Sequence, residues 1–443
     1  MSVFSPKRLL ALGRGQGLRA ELLRGGAGVA AFKVLSLPLT LLAAVVLARG
    51  LGPEGYGKFS FLVALITVLA IPLGPALMLL ATREIAALTS AAEFDRIHSF
   101  VAWASRRVWL GSLMTIVLAG GYAASVAEWH TDDRCTLFLV VLVALPFLGL
   151  NQVRAGVLTG LRRVVLAQLP ELFIRPVILL VLAVMFAAMG GLSPLTALVA
   201  FVSAGVIASL VGALLIRSVL PQARSSKYGC ASDAGDWHRA WGPFTFLVFA
   251  STLNSQLGIL FLGWLSTDEE VAAMQVADRG AILVALSVTV VNLVIGPHIA
   301  QAFRQGDRKR LQLLFRQSSR AAFFVALPIA IPLLFFGRQI LELVFGAQYA
   351  EIATLPLGFL VAGRLVFVVF GTVGMFLAMS GFERDTMYGH AIALVVNAVV
   401  AVALIPKWGA TGAAIAASLG LIIWSIVLAV LFSKRLGIRV SGL

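Results

Sequence analysis

The sequence is poor in charged residues, in cysteine and in histidine. Charged side chains make up 12% of the 443 residues, whereas a soluble protein carries about a quarter. Cys135 and Cys230 are too few and too far apart for a disulfide framework or a metal cluster. The five histidines form no pair at metal-binding spacing. These deficits argue against a soluble domain, a disulfide-rich secreted domain and the common metal sites.

Two glycine patterns imitate nucleotide-binding motifs but lack the context that such motifs need. Gly50-x-Gly52-x-x-Gly55 matches the dinucleotide fingerprint, yet no strand precedes it. Gly52 to Lys58 nearly matches a P-loop, but Phe59 stands where a serine or threonine would hold magnesium. We therefore interpret these glycines as a tight connection between two helices. We expect no cofactor, and coupling to H⁺ or Na⁺ stays open.

Long apolar runs dominate what the sequence does contain. The chain is 60% hydrophobic, with a mean hydropathy of +0.97. A helix of about 20 apolar residues crosses a bilayer, and continuous runs predict helices because barrel strands would alternate. The fold class predicted is therefore an all-α polytopic membrane protein with about twelve spans. They are 29–49, 59–82, 100–125, 136–158, 166–189, 195–217, 240–265, 276–300, 320–337, 353–379, 387–406 and 410–432.

The longest polar gap divides these spans six and six. Gly74-Pro75 and Gly296-Pro297 each precede a similar basic segment, at equivalent places in the two halves. This similarity between the halves indicates an internal repeat, which is usual in secondary transporters. We predict a basic N-terminus (1–28), a six-helix bundle (29–217), a linker (218–239), a second six-helix bundle (240–432) and a tail (433–443).

The basic residues predict the orientation in the membrane. Of the 35 Lys and Arg residues, 26 fall in segments on the side of the N-terminus, five fall on the other side and four fall within spans. Because Lys and Arg concentrate in cytoplasmic segments, we expect both termini in the cytoplasm. The net charge of +15 is then a topology signal that faces anionic lipid, and we expect no nucleic-acid partner.

Ionisable residues within membrane helices are functional candidates because their burial is expensive. Glu171 and Arg175 lie four residues apart on one helix face, so a purely structural salt bridge is as good an interpretation as substrate binding. Arg364 has no acid within one turn, and its partner must come from another helix or from a substrate. The six intramembrane charges are Lys33, Arg175, Arg279, Arg364, Glu171 and Asp278.

Two of these cations have a simpler alternative, and uncharged polar residues accompany them. Lys33 and Arg279 lie near span ends, where snorkelling to the interface would explain either one. Interhelical hydrogen bonding is the simple alternative for the polar stripes. Taken together, these residues predict a polar, cationic cavity for an anion. The stripes comprise Ser251, Asn254, Ser255 and Gly258 in the seventh span, Asn292 and Gly296 in the eighth, and His390 and Asn397 in the eleventh.

The loop motifs resemble those of the Wzx-type polysaccharide flippases of the MATE-like exporter superfamily. The first two spans are joined by Leu47-Ala-Arg-Gly-Leu-Gly-Pro-Glu-Gly-Tyr-Gly57, and the second ends in Arg83-Glu-Ile-Ala86. Two further stretches resemble later blocks of the family. They are Ile340-Leu-Glu-Leu-Val-Phe-Gly346 and Pro406-Lys-Trp-Gly-Ala-Thr-Gly-Ala-Ala-Ile-Ala416, the second preceded by Asn397 to Ile405. The likeness covers nearly the whole chain.

This resemblance implies two pseudo-symmetric six-helix bundles that form a V around a central cationic cavity. It also implies alternating-access transport of undecaprenyl-pyrophosphate-linked oligosaccharide repeat units, for O-antigen, capsule or exopolysaccharide, across a bacterial cytoplasmic (inner) membrane. We expect a monomer in contact with membrane lipids, with the polysaccharide polymerase and chain-length machinery as candidate partners. A MATE-like drug or metabolite antiporter and a flippase of another precursor, such as lipid II, stay open. We expect no enzyme, because no nucleophile–base pair or carboxylate dyad can be assembled from the short outer loops.

Overall fold

The computed structural model describes residues 18–126, 133–220, 233–370, 372–380 and 383–436. Side chains are described in these ranges except at 18–31, 33–34, 233, 293–294, 297, 300, 378–379, 383–385 and 436. The first half of the chain forms α1 (Leu18–Leu69), α2 (Pro75–Ser90), α3 (Phe94–Ser125), α4 (Arg134–Leu142), α5 (Leu145–Gly160), α6 (Val164–Leu169), α7 (Arg175–Ala188) and α8 (Pro194–Val219). The second half forms α9 (Asp233–Leu265), α10 (Asp268–Arg304), α11 (Arg308–Phe335), α12 (Gly337–Phe345), α13 (Ala347–Phe370), α14 (Val373–Met379) and α15 (Glu383–Leu436).

The helices accommodate all twelve predicted spans. Ten helical segments of the described chain are long and apolar enough to cross a membrane. Two of these segments, in α1 and α15, are each divided by a glycine with non-helical backbone, Gly52 (φ 70°) and Gly409 (φ 49°). Positive φ is readily adopted only by glycine, and each of these glycines lies between two predicted spans. The all-α polytopic prediction is confirmed.

Several spans are interrupted, which the apolar runs did not reveal. The second predicted span is broken by turns at residues 70–74, before Pro75, and the fifth contains a π-helical turn at Pro170–Ile174. A helix break within a membrane is tolerated where another group satisfies the freed backbone. Here Trp241 Nε1 of α9 donates a hydrogen bond to the carbonyl oxygen of Pro72, 2.8 Å away. The break in the second span is thus supported by a helix of the other half.

The hydrophobic core forms one continuous cluster at one end of the molecule and two separate clusters towards the other. We call the end that contains Gly52 and Gly409 the glycine end. There, buried side chains of both halves form one cluster, which includes Tyr56, Phe138 and Tyr349. Towards the opposite end the buried residues separate into a first-half cluster around Phe100 and a second-half cluster around Phe315, Phe376 and Phe432. This arrangement gives two arms that join at the glycine end.

The helix α9 connects the two arms. It packs against α15 of its own half and against α1 and α2 of the first half. It begins at Asp233, seven residues before the predicted span, and its Trp237 belongs to the first-half cluster. Part of the predicted linker, residues 221–232, lies outside the described residues.

Candidate functional site

The long helix α10 carries two adjacent ionisable residues that face different neighbours. Because successive residues of an α-helix point about 100° apart, the two side chains face different neighbours. Asp278 faces α13, where its carboxylate accepts a hydrogen bond from Arg364 Nη2. From the sequence we expected the partner of Arg364 to come from another helix or from a substrate. In the structure this partner is Asp278 of α10. The Asp278 side chain keeps 38% of its surface exposed, against 17% for Arg364.

Arg279, the next residue of α10, faces α1 across the boundary between the two halves. Its guanidinium lies against the hydroxyl of Tyr56, which is also beside Ser60. Tyr56 is 2% exposed. Arg279 Nε and Ser60 Oγ are buried, and within the described part of the chain neither atom has a hydrogen-bond partner. Arg279 therefore keeps unused donor capacity in a buried interface, which is costly unless another acceptor enters.

Glu171 and Arg175 form the salt bridge that their spacing allows. Arg175 Nη1 donates to Glu171 Oε1, and Asn151 Nδ2 of α5 donates to the other carboxylate oxygen at 2.9 Å. The Arg175 guanidinium also lies 4.5 Å from the ring centre of Phe201 on α8, a cation–π contact. Both charges are thus satisfied within the first half, and they join α5, the π-helical turn, α7 and α8.

Arg154 lies in the same region and was not among the predicted intramembrane charges. Its Nη1 donates to Ser209 of α8, to the backbone carbonyl and, at 2.7 Å, to the hydroxyl. Arg154 was counted among the basic residues on the side of the N-terminus, although it falls inside the predicted span 136–158. Its position within those bounds was the signal that could have found it. Arg154 therefore joins Arg175 as an arginine whose guanidinium is bonded within the first half.

The polar stripes of the second half are explained partly by contacts between helices. Asn397 Nδ2 of α15 donates to Asn254 Oδ1 of α9 at 3.1 Å, which is the interhelical hydrogen bond of the simpler interpretation. His390 lies against Trp424, with ring centres 5.2 Å apart and ring planes tilted by 37°. The hydroxyl of Ser251 donates to carbonyl groups of its own helix. Asn292 Oδ1 and Asn397 Oδ1 are both buried and have no hydrogen-bond partner among the described residues.

Lys33 lies in α1, but its side chain is outside the described residues. The structure therefore does not test its predicted place in the cavity. On the same face, Ser36 is buried, and the Thr40 hydroxyl donates to the carbonyl of Leu37 at 2.9 Å. Binding of cargo by Lys33, Arg175, Arg279 or Arg364 remains a prediction.

Polar contacts close the glycine end between the two halves. Arg134 Nη2 at the start of α4 donates to Asp268 Oδ2 at the start of α10, 2.8 Å away. Arg49 donates to the carbonyls of Leu343 and Val344, the last of these at 2.9 Å, at the carboxyl end of α12 where backbone acceptors are free. These contacts join the halves by charge as well as by packing.

A glycine and a tyrosine complete this closure. The Tyr349 hydroxyl donates to the carbonyl of Ala48 at 2.7 Å. A Cβ on Gly57 would overlap the backbone carbonyl of Asp268, so this position needs glycine for the close approach of α1 to α10. Within the glycine-rich connection, which imitates a nucleotide motif in sequence, Gly57 therefore lies in the contact between the halves.

At the opposite end, aromatic side chains of α9 pack on the first half. Trp237 lies edge-on to Phe100, with ring centres 5.1 Å apart, and beside Trp103 at 5.5 Å. Next to these rings, an apolar groove of about 430 Å³ lies between α9 and the break in the second span. Its lining consists of Pro72, Trp241, Gly242, Thr245, Phe246 and Phe249.

The molecule has two helical arms that are joined at one end, and charged residues lie on the helices between them. These features define a polytopic transporter fold, which solved structures share. The chain is similar to a structure described as lipid II flippase MurJ in an inward closed conformation, with a TM-score of 0.73 and 17% identity over 92% of this chain and 87% of that one. It is also similar to an inward-facing multidrug resistance MATE family transporter of the MOP superfamily, with a TM-score of 0.74 and 14% identity over 92% of this chain and 98% of that one. At these identities the likeness establishes the fold.

The family follows from the sequence of the chain. The family model described as polysaccharide biosynthesis protein matches residues 22–303, and the chain belongs to this family. The MatE family model matches residues 243–403. A curated relative from Haloferax volcanii, "Probable low-salt glycan biosynthesis flippase Agl15", is 22% identical over 214 residues, which are 48% of this chain. The match spans 42% of that relative's length.

Proposed function

We propose that this chain is a flippase that moves undecaprenyl-pyrophosphate-linked oligosaccharide repeat units across the cytoplasmic membrane for the synthesis of O-antigen, capsule or exopolysaccharide. The polysaccharide biosynthesis family and the likeness to a glycan biosynthesis flippase support a flippase with a glycan cargo. The lipid carrier and the repeat unit rest on the resemblance of the loop motifs. A polymerase and chain-length machinery would then receive the product.

The observation that carries this proposal is the buried Nε–H of Arg279, which has no hydrogen-bond partner among the described residues. In the described chain, Arg175 and Arg364 are each neutralised by a carboxylate, whereas Arg279 faces a tyrosine hydroxyl and keeps a buried donor without a partner. A pyrophosphate that leaves water loses hydration worth several kcal/mol per charge, and a cation with free donors offsets that loss. Arg279 also lies where the two halves meet, so a change in their contact would change its surroundings.

The orientation of the proposed cycle follows from the basic residues. The end opposite the glycine end carries the excess of Lys and Arg, which favours the cytoplasm. With the glycine end closed by Arg134–Asp268 and Arg49–α12, the cargo would load from the cytoplasmic side. Release on the outer side would require these contacts to break.

A reconstituted system tests the function directly. Purified protein in vesicles is given a labelled undecaprenyl-pyrophosphate oligosaccharide, and exposure of the glycan on the opposite leaflet is followed with an external glycosidase. We expect translocation by the natural chain and at least a tenfold loss in Arg279→Gln. Arg338→Gln, which removes an exposed charge at the glycine end, should translocate normally. Protein-independent translocation, or equal rates in all three proteins, would contradict the proposal.

A drug or metabolite antiporter is the second candidate, and the MatE match over residues 243–403 favours it. Cationic drugs would require an acidic cavity, yet the intramembrane charges named from the sequence are four basic and two acidic residues, and Arg154 adds a further cation. The same vesicles loaded with ethidium discriminate between the two. Export of this cation against a proton or sodium gradient, without translocation of the glycan, would establish the antiporter.

A further inference from the structure

An exposed stripe on α11 begins with two arginines and continues with apolar side chains. Residues three or four positions apart lie on one face of a helix. Phe324 is 65% exposed, Ile331 47% and Phe335 76%, and the other members are exposed as well. The stripe consists of Arg316, Arg320, Phe324, Pro328, Ile331 and Phe335.

The two arginines differ from three paired arginines at the same end of the molecule. Arg83, Arg96 and Arg239 each lie beside a neighbouring carboxylate. Arg316 and Arg320, in contrast, have no hydrogen-bond or ion-pair partner in the described ranges. The nearest acid in sequence, Asp307, accepts the backbone N–H of Arg310 at the start of α11. The local excess of positive charge is therefore left for a ligand outside the chain.

We propose that this stripe binds an anionic phospholipid of the leaflet at the end opposite the glycine end. Guanidinium groups one helical turn apart can both reach one phosphate, and arginine matches phosphate oxygens in a fork geometry. The acyl chains would lie along Phe324, Pro328 and Ile331, deeper in the membrane. Because the head-group site and the chain site are continuous on one helix face, the occupant is a lipid rather than a free anion. Under the proposed orientation this is the cytoplasmic leaflet.

The proposal is independent of the cargo. A positive surface attracts anionic lipid without any defined site, so the experiment must separate a local site from total charge. Arg316→Gln/Arg320→Gln removes two charges from the stripe. Arg162→Gln/Arg163→Gln removes two exposed charges from the first half at the same end and serves as the matched control.

Binding is measured on the full chain in phosphatidylcholine nanodiscs with increasing phosphatidylglycerol, by native mass spectrometry and by the lipid-dependent shift in unfolding temperature. We expect the affinity for phosphatidylglycerol to fall about three- to thirtyfold in the stripe variant and less than twofold in the control. Equal losses in both variants, or no loss in the stripe variant, would overturn the local site.

A third variant tests the acyl-chain part of the site. Phe324→Ala keeps both arginines, and it should weaken long-chain phosphatidylglycerol more than a short-chain form. Equal weakening of both forms would contradict the chain contact. Competition by millimolar inorganic phosphate as strong as that by the lipid would identify a free-phosphate site and overturn the lipid assignment.

Discussion

Arg364 on α13 donates to the carboxylate of Asp278 on α10 and so joins two helices within the membrane-spanning region. The pair is more open on the side of Asp278, which is 38% exposed, than on the side of Arg364, which is 17% exposed. An anion that approached this pair would compete with Asp278 for the guanidinium. Arg364 is thus a neutralised cation in this structure. Arg279, which follows Asp278 in the chain, keeps a buried donor that has no partner among the described residues.

A double-mutant cycle on this pair should show strong coupling. Asp278→Asn or Arg364→Gln alone leaves one charge without its partner, whereas the double variant removes both charges. We expect a coupling energy of about 1–3 kcal/mol, measured by unfolding in detergent. The matched cycle is Asp236→Asn with Arg239→Gln, an exposed pair with side chains 82% and 89% accessible. It should give about 0–0.5 kcal/mol, and similar coupling in both cycles would contradict the assignment.

Replacing Gly57 by alanine should disturb the contact between the halves. The new methyl group would meet the backbone carbonyl of Asp268, which cannot rotate away. We expect destabilisation of about 1–3 kcal/mol, seen as a lower unfolding temperature. Gly358→Ala is the control, because a Cβ there meets no atom within 4 Å, and it should be neutral or slightly stabilising. The idea fails if Gly57→Ala behaves like the control.

The Arg134–Asp268 ion pair should restrict access to Cys135. Cys135 is 6% exposed and adjoins Arg134, so its reaction with a maleimide reports opening of the glycine end, provided that Cys230 is replaced by serine. We expect Arg134→Gln to speed labelling about five- to thirtyfold. Asp268→Asn should add little to this change, because the pair is already broken.

Glu269→Gln serves as the control for that experiment. Glu269 is exposed on the same turn as the buried Asp268, so the variant removes the same charge without breaking the pair. Its labelling rate should equal that of the natural chain. Faster labelling in Glu269→Gln would assign the effect to general electrostatics.

Cysteine accessibility in cells should reveal the orientation. Glu269→Cys at the glycine end and Arg308→Cys at the opposite end are both exposed positions. In a background without native cysteines, a membrane-impermeant maleimide should label Glu269→Cys in intact cells and Arg308→Cys only after permeabilisation. Arg338→Cys, at the glycine end on α12, should follow Glu269→Cys. The reverse pattern would place both termini outside.

Helix positions were largely predictable because the thickness of a bilayer sets the length of an apolar run. Gly52 and Gly409 also had to lie between spans, since each divides two apolar runs. The break at residues 70–74 was not predictable. Its freed carbonyl at Pro72 is satisfied by Trp241, which lies 169 positions away in the chain.

The candidate site also contains contacts within one helix, which were predictable, and contacts between distant helices, which were not. The Glu171–Arg175 pair could be anticipated, because both residues lie on one face of one helix. The Asp278–Arg364 pair could not, because its members are 86 positions apart on different helices. Arg154 was overlooked for a different reason, since counting it as a loop residue concealed its place within a span.

The sequence alone therefore determined the number of spans, the polar gap between the halves and the residue types available to meet an anion. Hydropathy and spacing along one helix are local properties, and they can be read without knowing which helices touch. The tertiary structure decided which cations are neutralised, which glycine allows the halves to meet, and why Arg279 differs from Arg364. These outcomes depend on side chains brought together from distant helices, whose packing no local pattern encodes.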